Sequence, residues 1–237
     1  MLLQEKFDSL RQALPPVQLP RLCLNISDIH AAAGGSKDPL VASGTEPLIV
    51  DLLKEYLAKG YWLLKNGDWW DTWRGESLTK IFPAHQELVA VVDKFKGDKR
   101  LHEVLGNHER DLCSYPEAII FEGFGKKIFM FHGYFGDWPN DDGWQVGRDV
   151  VRALNALGID PATSPPTSPH PSNVERHLAV RKNVQELANN NPGWDFLWGH
   201  THYFSNEGNN HNSGSSLMGF VQGYTIEEGN IIRLERK

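Results

Sequence analysis

The segment from residue 61 to residue 71 most restricts what this chain can fold into. Residues 61–64 are apolar and predict a buried strand, which Asn66 and Gly67 end. Asp68 would then lie at the carboxyl end of that strand, where open α/β sheets place their functional residues. A single aspartate after a strand is more often a turn former or a helix cap, so the rest of the chain has to decide its role.

The preceding segment predicts a βαβ unit that ends at the same edge. Residues 22–26 predict a strand that runs towards Asp28. A loop of small and polar residues at 31–44 follows, and the apolar spacing of residues 46–59 predicts the crossover helix. Because parallel strands joined by a helix point the same way, Asp28 and Asp68 should lie at one edge of the sheet.

Further strands follow the same rule. They are predicted at residues 101–105, after a helix at 83–95, at residues 127–131, in a hairpin with 118–121, and at residues 195–198. Amide or imidazole side chains come directly after them: Asn107 and His108, His132, and His200 and His202. Five of the ten histidines in the chain therefore lie just beyond strand ends, counting His30.

Residues 134–192 interrupt this strand pattern. They predict a small helical insertion or cap, with helices at 144–157 and 174–188 on either side of a Pro/Ser/Thr-rich loop at 161–172. Neither helix has enough apolar surface for a core of its own, so we predict a single domain over residues 1–237. A first amphipathic helix is predicted at 1–13, and antiparallel strands at 217–234.

The polar residues at the five strand ends form a set of metal-binding groups. They are Asp28 and His30, Asp68 and Asp71, Asn107 and His108, His132, and His200 and His202. In strand-like backbone residues two apart point to the same side, so Asp28 should face one site with His30, as should His200 with His202. This mixture of donors suits Mn, Fe, Zn or Co better than Ca. One histidine at a strand end is more often a surface or hydrogen-bonded residue, but five such ends together favour a metal site.

The ordered set of motifs resembles the five sequence blocks of the calcineurin-like metallophosphoesterase superfamily. The blocks are Asp28-x-His30, Gly67-Asp68-x-x-Asp71, Gly106-Asn107-His108-Glu109, His132-Gly133 and Gly199-His200-x-His202. The resemblance spans residues 26–202 and implies an α/β (α+β) fold, a four-layer αββα sandwich of two mixed β-sheets flanked by helices. It also implies two divalent metal ions as cofactors, with Mn favoured and Fe, Zn, Co or Mg as alternatives.

Roles follow from the resemblance position by position. One metal would be held by Asp28, His30, Asp68 and His202, and the other by Asp68, Asn107, His132 and His200. His108 corresponds to the catalytic histidine that contacts the phosphate and can protonate the leaving oxygen, and Asp71 to the carboxylate that orients it. The resemblance implies hydrolysis of a phosphomonoester, phosphodiester or pyrophosphate by direct attack of a metal-bridging hydroxide.

The substrate stays open within the superfamily. Residues 67–73 and the loop 132–137 are similar to UDP-2,3-diacylglucosamine pyrophosphatases and their bacterial relatives. Those enzymes typically have arginine at the position of His108, and their apolar acyl-binding cap is not evident in residues 134–192. Protein phosphatases usually have arginine where this chain has Thr72.

Several neighbouring side chains have two interpretations. Arg74 and Arg110 would either contact phosphate or lie in solvent. The tryptophans near the motifs would stack a nucleobase, line an apolar leaving group or belong to the core: Trp69, Trp70, Trp73, Trp138 and Trp144. Residues 140–142 favour a capping turn over a substrate contact, and residues 206–212 favour a surface loop.

The composition is that of an ordinary soluble globular protein, 40% hydrophobic and 23% charged. A net charge of −6 argues against a surface that coats nucleic acid, so we expect a phosphate-ester substrate, nucleotide-containing esters included, and no stable nucleic-acid binding. Two cysteines, no signal-peptide pattern and no membrane-length apolar run predict a cytoplasmic protein.

Two other kinds of function remain open. The fold could serve as a catalytically silent scaffold for protein partners, although such relatives usually lack a ligand or the catalytic histidine and none is missing here. A structural zinc site is the other, but structural zinc favours cysteine-rich sites, and neither Cys23 nor Cys113 lies in a ligand motif.

Overall fold

The fold is given by a computed structural model, which describes residues 3–35, 37–74, 77–112, 115–137, 139–156 and 171–237. Most of the predicted loop at 161–172 lies outside these residues, as do Cys113 and Trp138. Within the described part of the chain, no helix is both long enough and apolar enough to cross a membrane.

Seven α-helices and eleven strands are formed by the described residues. The helices are α1 Leu3–Ala13, α2 Pro39–Ser43, α3 Glu46–Ala58, α4 Leu78–Ala84, α5 Gln86–Gly97, α6 Trp144–Ala156 and α7 Pro171–Asn190. The strands are β1 Val17–Gln18, β2 Leu22–Ile26, β3 Trp62–Asn66, β4 Leu101–Val104, β5 Ala118–Gly123, β6 Lys126–Phe131, β7 Asp195–Trp198, β8 Ser205–Glu207, β9 Asn210–Asn212, β10 Val221–Glu227 and β11 Asn230–Arg236. Short 3₁₀ helices follow β3 and β4, at Thr72–Arg74 and Asn107–Leu112.

One sheet has five strands in the order β11-β10-β2-β3-β4. β2, β3 and β4 are parallel, with Leu24 opposite Leu63 in the first pair, while β10 is antiparallel to both of its neighbours. The segments that follow the three parallel strands carry Asp28, Asp68 and Asn107. These residues therefore leave the sheet at one edge, as the predicted βαβ connection requires.

The other sheet has six strands in the order β1-β5-β6-β7-β9-β8. β6, β7 and β9 are parallel, β5 is antiparallel to β6 but parallel to β1, and β8 is antiparallel to β9. His132 follows β6 and His200 follows β7. Both sheets are thus mixed, and each contributes loops from the carboxyl ends of parallel strands.

Three apolar clusters hold four layers together. Between the sheets, buried side chains such as Leu64, Met130 and Tyr224 come from both of them. Helices α3 and α5 cover the five-stranded sheet, and α1 and α7 cover the six-stranded sheet. The predicted αββα sandwich of two mixed sheets flanked by helices is confirmed.

The two halves of helix α7 have different surroundings. Its second half is buried against the six-stranded sheet through Val180, Val184 and Leu187. Its first half extends beyond that core towards α6 and leaves Leu178 half exposed. The interpretation of residues 134–192 as an insertion stays a prediction, because α7 also contributes to the main helical layer.

Two predictions of local structure need correction in the first half of the chain. The helix predicted at 83–95 is confirmed as α5 from Gln86 on, but Pro83 and Ala84 belong to a separate helix, α4, which ends before His85. The loop predicted at 31–44 contains α2, whose first turn is capped by the carboxylate of Asp38. Asp38 followed by Pro39 is a helix-start signal. The apolar run after it was too short to predict a helix.

The surface loop predicted at 206–212 was wrong as well. These residues form the β8–β9 hairpin, and β9 pairs with β7. The side-chain amide of Asn209 donates to the carbonyl oxygens of Ala188 and Trp194, which joins the hairpin to the end of α7. Strands are usually predicted from a pattern of apolar residues. That pattern is missing here because side-chain amides hold the hairpin through hydrogen bonds to backbone groups.

A buried ion cluster fixes the segment between β2 and α3. His85 Nε2 donates to Asp38 Oδ2 at 2.8 Å, and its Nδ1 is 3.0 Å from Glu46 Oε2. Burial alone would lower the pKa of His85, but the two carboxylates outweigh it and raise the pKa to about 9. The protonated imidazole is therefore the form that stabilises the fold.

Replacing His85 with glutamine is expected to lower the free energy of unfolding by about 2 kcal/mol at neutral pH, because buried Asp38 loses a charged partner. The histidine has a higher pKa folded than its ordinary value of 6.5. Its contribution is hence complete below that value and is lost as pH rises through about 9. Urea unfolding of both proteins should show a difference that shrinks across this range, and a constant difference would contradict the assignment.

Candidate metal centre

The proposed ligands lie on backbone that L-residues seldom adopt. Five of them have positive φ: Asp28 at 53°, His30 at 52°, Asp68 at 53°, His200 at 69° and His202 at 55°. We predicted that Asp28 faces one site with His30, and His200 with His202, because residues two apart in a strand point to the same side. That reason was wrong, because these residues lie beyond the strands. Left-handed backbone in non-glycine residues costs energy and clusters at functional sites, where the surrounding structure imposes it.

Two glycines permit the close approach of these loops. A Cβ on Gly106 would collide with the backbone nitrogen and a carboxylate oxygen of Asp68. A Cβ on Gly199 would collide with side-chain oxygens of Asp28 and Ser27. Only glycine lets the main chain pass this near to both carboxylates.

One cluster of candidate ligands consists of Asp28, His30 and His202. The Nε2 atoms of His30 and His202 are 3.0 Å apart, and His202 Nε2 is 3.3 Å from Asp28 Oδ1. Asp28 is fully buried and accepts the backbone N–H of His200. These nitrogens and the carboxylate oxygen point at a common volume.

A second cluster consists of Asp68, His132 and His200. His132 Nε2 is 3.0 Å from Asp68 Oδ2, and the same oxygen is 3.9 Å from His30 Nε2 in the first cluster. The other carboxylate oxygen of Asp68 accepts the backbone N–H of His108 at 2.9 Å. Asp68 therefore lies between the two clusters and faces both.

The buried donor atoms of these residues fit metal ions. Asn107 Oδ1 is buried and has no hydrogen-bond partner among the described residues. His132 Nδ1 lies at 2.8 Å from the carbonyl oxygen of Asn66, which leaves Nε2 directed at the cluster, 3.0 Å from Asp68 Oδ2. An unpaired buried polar atom is costly, and coordination of a cation would satisfy Asn107 Oδ1. The residues fit a pair of divalent metals.

The charges of the site divide the imidazoles into two kinds. Burial lowers the pKa of His30 to about 3, helped by neighbouring His108. His132 is buried too, but Asp68 and Asp28 outweigh that effect and raise its pKa to about 9. Bound cations would replace the proton on His132 as the partner of these carboxylates.

His108 and Asp71 form a separate pair beside the clusters. His108 Nδ1 is 2.8 Å from Asp71 Oδ1, and the imidazole stacks on the ring of Trp73 with 4.7 Å between centroids. Burial alone would lower the pKa of His108, but the carboxylates of Asp71 and Asp68 outweigh it and raise the pKa. The structure thus places His108 next to the candidate ligands with its Nδ1 occupied, which leaves Nε2 for a substrate.

Arg74 completes this pair, in a role that neither sequence interpretation foresaw. It is buried, and its Nε donates to Asp71 Oδ2 at 2.8 Å. Its Nη1 donates to the carbonyl oxygen of Lys37. The chain Arg74–Asp71–His108 fixes both the position and the charge of the carboxylate.

Replacing Arg74 with glutamine is expected to lower kcat by roughly 10–100-fold, because Asp71 loses the cation that holds it against His108. KM and metal content should change little, since Arg74 lies behind Asp71. Steady-state kinetics and metal analysis of this variant and of the control Arg21→Gln, an exposed arginine that pairs with Glu228, check the expectation. A fall in metal content equal to the fall in kcat would show that Arg74 supports the clusters instead.

Asp137 and Asn140 were missed as site residues by the sequence analysis. Asp137 Oδ2 is 2.8 Å from His200 Nε2, and it accepts from Asn140 Nδ2 at 2.7 Å. Asn140 Oδ1 in turn accepts from Asn107 Nδ2 at 3.3 Å. Residues 140–142 precede α6, as predicted for a capping turn. Asn140 also orients the side-chain amide of Asn107, a proposed ligand.

Glu109 joins two of the site loops from behind. Its carboxylate accepts the backbone N–H groups of Trp69, Trp70 and Gly106. Burial and neighbouring charges raise its pKa despite the ammonium of Lys65. Glu109 therefore helps to join the loop that carries Asp68 to the loop that carries Asn107.

The structure also gives the positions of Arg110, Trp69 and Trp70. Arg110 packs its guanidinium over the rings of Tyr134 and Trp144, 4.7 Å from the first centroid, and donates to the carbonyl oxygens of Asn140 and Asp141. It is therefore an internal tie between loops and not a solvated side chain. Trp69 and Trp70 are buried in the core beside α4 and α5.

A cavity of about 380 Å³ opens from the clusters between α6 and α7. The candidate ligands, His108 and Trp73 lie at its base. Its walls include Arg176 and His177, from a segment without a sequence pattern that would have marked them as site residues. The arginines that line this cavity are Arg176, with Nε 3.4 Å from Asp137 Oδ1, and Arg181, in place of Arg74 or Arg110.

The chain belongs to the calcineurin-like phosphoesterase family, whose sequence model matches residues 23–223. The predicted resemblance to that superfamily is confirmed. Comparison with curated protein sequences gave no match.

Solved structures resemble the fold. A conserved uncharacterized protein from Streptococcus pneumoniae TIGR4, described as a predicted phosphoesterase, is 13% identical with a TM-score of 0.40, and the alignment covers 93% of this chain and 100% of that one. A single mutant of Vps29 from Entamoeba histolytica is 14% identical with a TM-score of 0.40, covering 91% of this chain and 99% of that one. These similarities concern the fold alone.

Proposed function

We propose that this protein is a metal-dependent phosphoesterase that hydrolyses a phosphate ester or pyrophosphate with water as the nucleophile. The observation that carries the proposal is the position of Asp68 between two ligand clusters, with His108 beside both. A structural site would not need a cavity above it or an imidazole with one nitrogen left for a substrate.

Two divalent cations bound here would polarise a phosphoryl oxygen and acidify a water molecule. Asp28, His30, Asp68 and His202 would hold one of them, and Asp68, Asn107, His132 and His200 the other. Manganese is the first choice, since the mixed imidazole, carboxylate and amide set suits it, with Fe, Zn, Co and Mg as alternatives.

The chain's own residues supply the remaining steps. His108, kept protonated by Asp71, donates a proton from Nε2 to the leaving oxygen as the phosphorus–oxygen bond breaks. Asp71 holds the imidazole through Nδ1, and Arg74 holds Asp71. No nucleophilic side chain is required, so the reaction passes through no covalent phosphoenzyme.

The test is hydrolysis of a panel of phosphomonoesters, phosphodiesters, nucleotides and nucleoside diphosphate sugars by the protein with added manganese. At least one class should be turned over, chelation should abolish turnover, and manganese should restore it. Two bound metals per chain with no hydrolysis of any member would instead point to a silent scaffold. We also propose a cytoplasmic location, which suits the buried, unpaired thiol of Cys23.

A further inference from the structure

We infer that the cleft between α6 and α7 binds an apolar leaving group, so that the substrate is a phosphate ester of an apolar alcohol. This inference rests on the proposed function, because the phosphate would occupy the metal centre at the base of the cleft. The cavity is continuous from His108 and the candidate ligands to the two helices. A phosphate group alone would fill only part of about 380 Å³.

The walls of the cleft are formed largely by aliphatic side chains. Val150 and Val151 come from α6, and Val174 and Leu178 from α7. Val150 is 51% exposed and Leu178 is 52% exposed, although both face the same cavity. Apolar surface left open to water above a reactive site is costly unless a ligand covers it.

Contacts elsewhere hold both walls in place. On α6, Arg148 and Arg152 pair with Asp111, at 2.6 and 3.1 Å. On α7, Val184 and Leu187 are buried in the core against the six-stranded sheet. The cleft is therefore a standing feature of the fold, available to a ligand without rearrangement.

The charged residues of the cleft already have partners. Arg181 lies over the ring of Tyr203 at 3.7 Å and pairs with Glu207 at 3.8 Å. Arg176 faces Asp137 close to the metal centre, where a phosphate oxygen would lie. Polar side chains such as His177 and Tyr203 also line the cleft, but Val150 and Leu178 provide the exposed apolar surface that an aliphatic or aryl group would cover.

The inference can be tested by binding, apart from turnover. Methylphosphonate and octylphosphonate have the same head group and resist hydrolysis, and their affinities for the manganese-loaded protein can be measured by titration calorimetry. Burial of one methylene typically raises affinity roughly threefold, so four buried methylenes predict a preference for the octyl compound of about 100-fold. Inorganic phosphate should displace both compounds.

Val150→Asn and Leu178→Gln should each reduce the octyl-to-methyl ratio by about tenfold, since each places a polar group on a wall. Val146→Asn is the matched control, because Val146 is 57% exposed on the same helix and does not line the cleft. Circular dichroism and Tm would show that all variants are folded.

The results separate this inference from the proposed function. A ratio below about three in the unmodified protein, or an equal loss in Val146→Asn, would overturn the cleft assignment and leave hydrolysis untouched. Self-association that Val150→Asn abolishes would overturn it too, since a second copy would then cover the cleft. A retained preference without hydrolysis of any phosphate ester would support the binding cleft and sink the proposed function.

Discussion

Replacing Asp68 with asparagine is expected to lower kcat/KM for p-nitrophenyl phosphate by at least about 10³-fold and to cost the protein bound metal. Asp68 Oδ2 faces His132 Nε2 at 3.0 Å and His30 Nε2 at 3.9 Å, so one oxygen serves both clusters. Asparagine keeps the shape and one acceptor oxygen, but it has neither the negative charge nor the second oxygen. Two cations held close together need both to offset their repulsion.

Metal content by elemental analysis, measured together with turnover, checks this expectation. The unmodified protein should bind two metals per chain and Asp68→Asn at most one. Asp51→Asn, on the exposed face of α3, is the matched control and should match the unmodified protein in both. If Asp68→Asn kept two metals and full turnover, the bridging role would be wrong.

The framework of the fold was predictable because its signals are local. Apolar runs that stop at Asn66-Gly67 or at Gly106 mark the parallel strands, and the spacing within 46–59 marks the crossover helix α3. Such patterns fail where polar side chains replace apolar ones. The β8–β9 hairpin is an example, since amides such as Asn209 hold it in place.

Which residues would meet at the site was also predictable, but the reason was not. Six of the seven predicted ligands come together in two clusters, and the seventh, Asn107, lines the same cavity. The sequence analysis assigned this to alternation along a strand. Positive φ at Asp28, His30 and Asp68 shows that tight turns beyond the strands direct these side chains instead.

The outer part of the site could not be predicted, because nothing local marks it. Asp137 reaches His200 across 63 residues of sequence. Arg176 and Leu178 lie on a helix whose position depends on core contacts made two turns later. Contacts of this kind follow from the packed fold and not from any single segment.

Replacing His108 with glutamine is expected to lower kcat by about 10²–10⁴-fold for an alkyl phosphate while metal content stays unchanged. Asp71 occupies Nδ1 of His108, and the carboxylates of Asp71 and Asp68 raise the pKa of the imidazole, which favours the protonated ring with a proton on Nε2. An alkoxide is a poor leaving group and needs that proton. Glutamine can donate a hydrogen bond from the same place but cannot transfer a proton.

A comparison of two leaving groups distinguishes proton donation by His108 from a simple contact of His108 with the phosphate. p-Nitrophenolate departs without protonation, so with p-nitrophenyl phosphate the same variant should lose only roughly tenfold, the value of one hydrogen bond to the phosphate. His102→Gln, a histidine in β4 that stacks on Trp62 away from the cavity, is the control and should leave both rates unchanged. Equal losses with both substrates would mean that His108 positions the phosphate or supports the loop without acting as the acid.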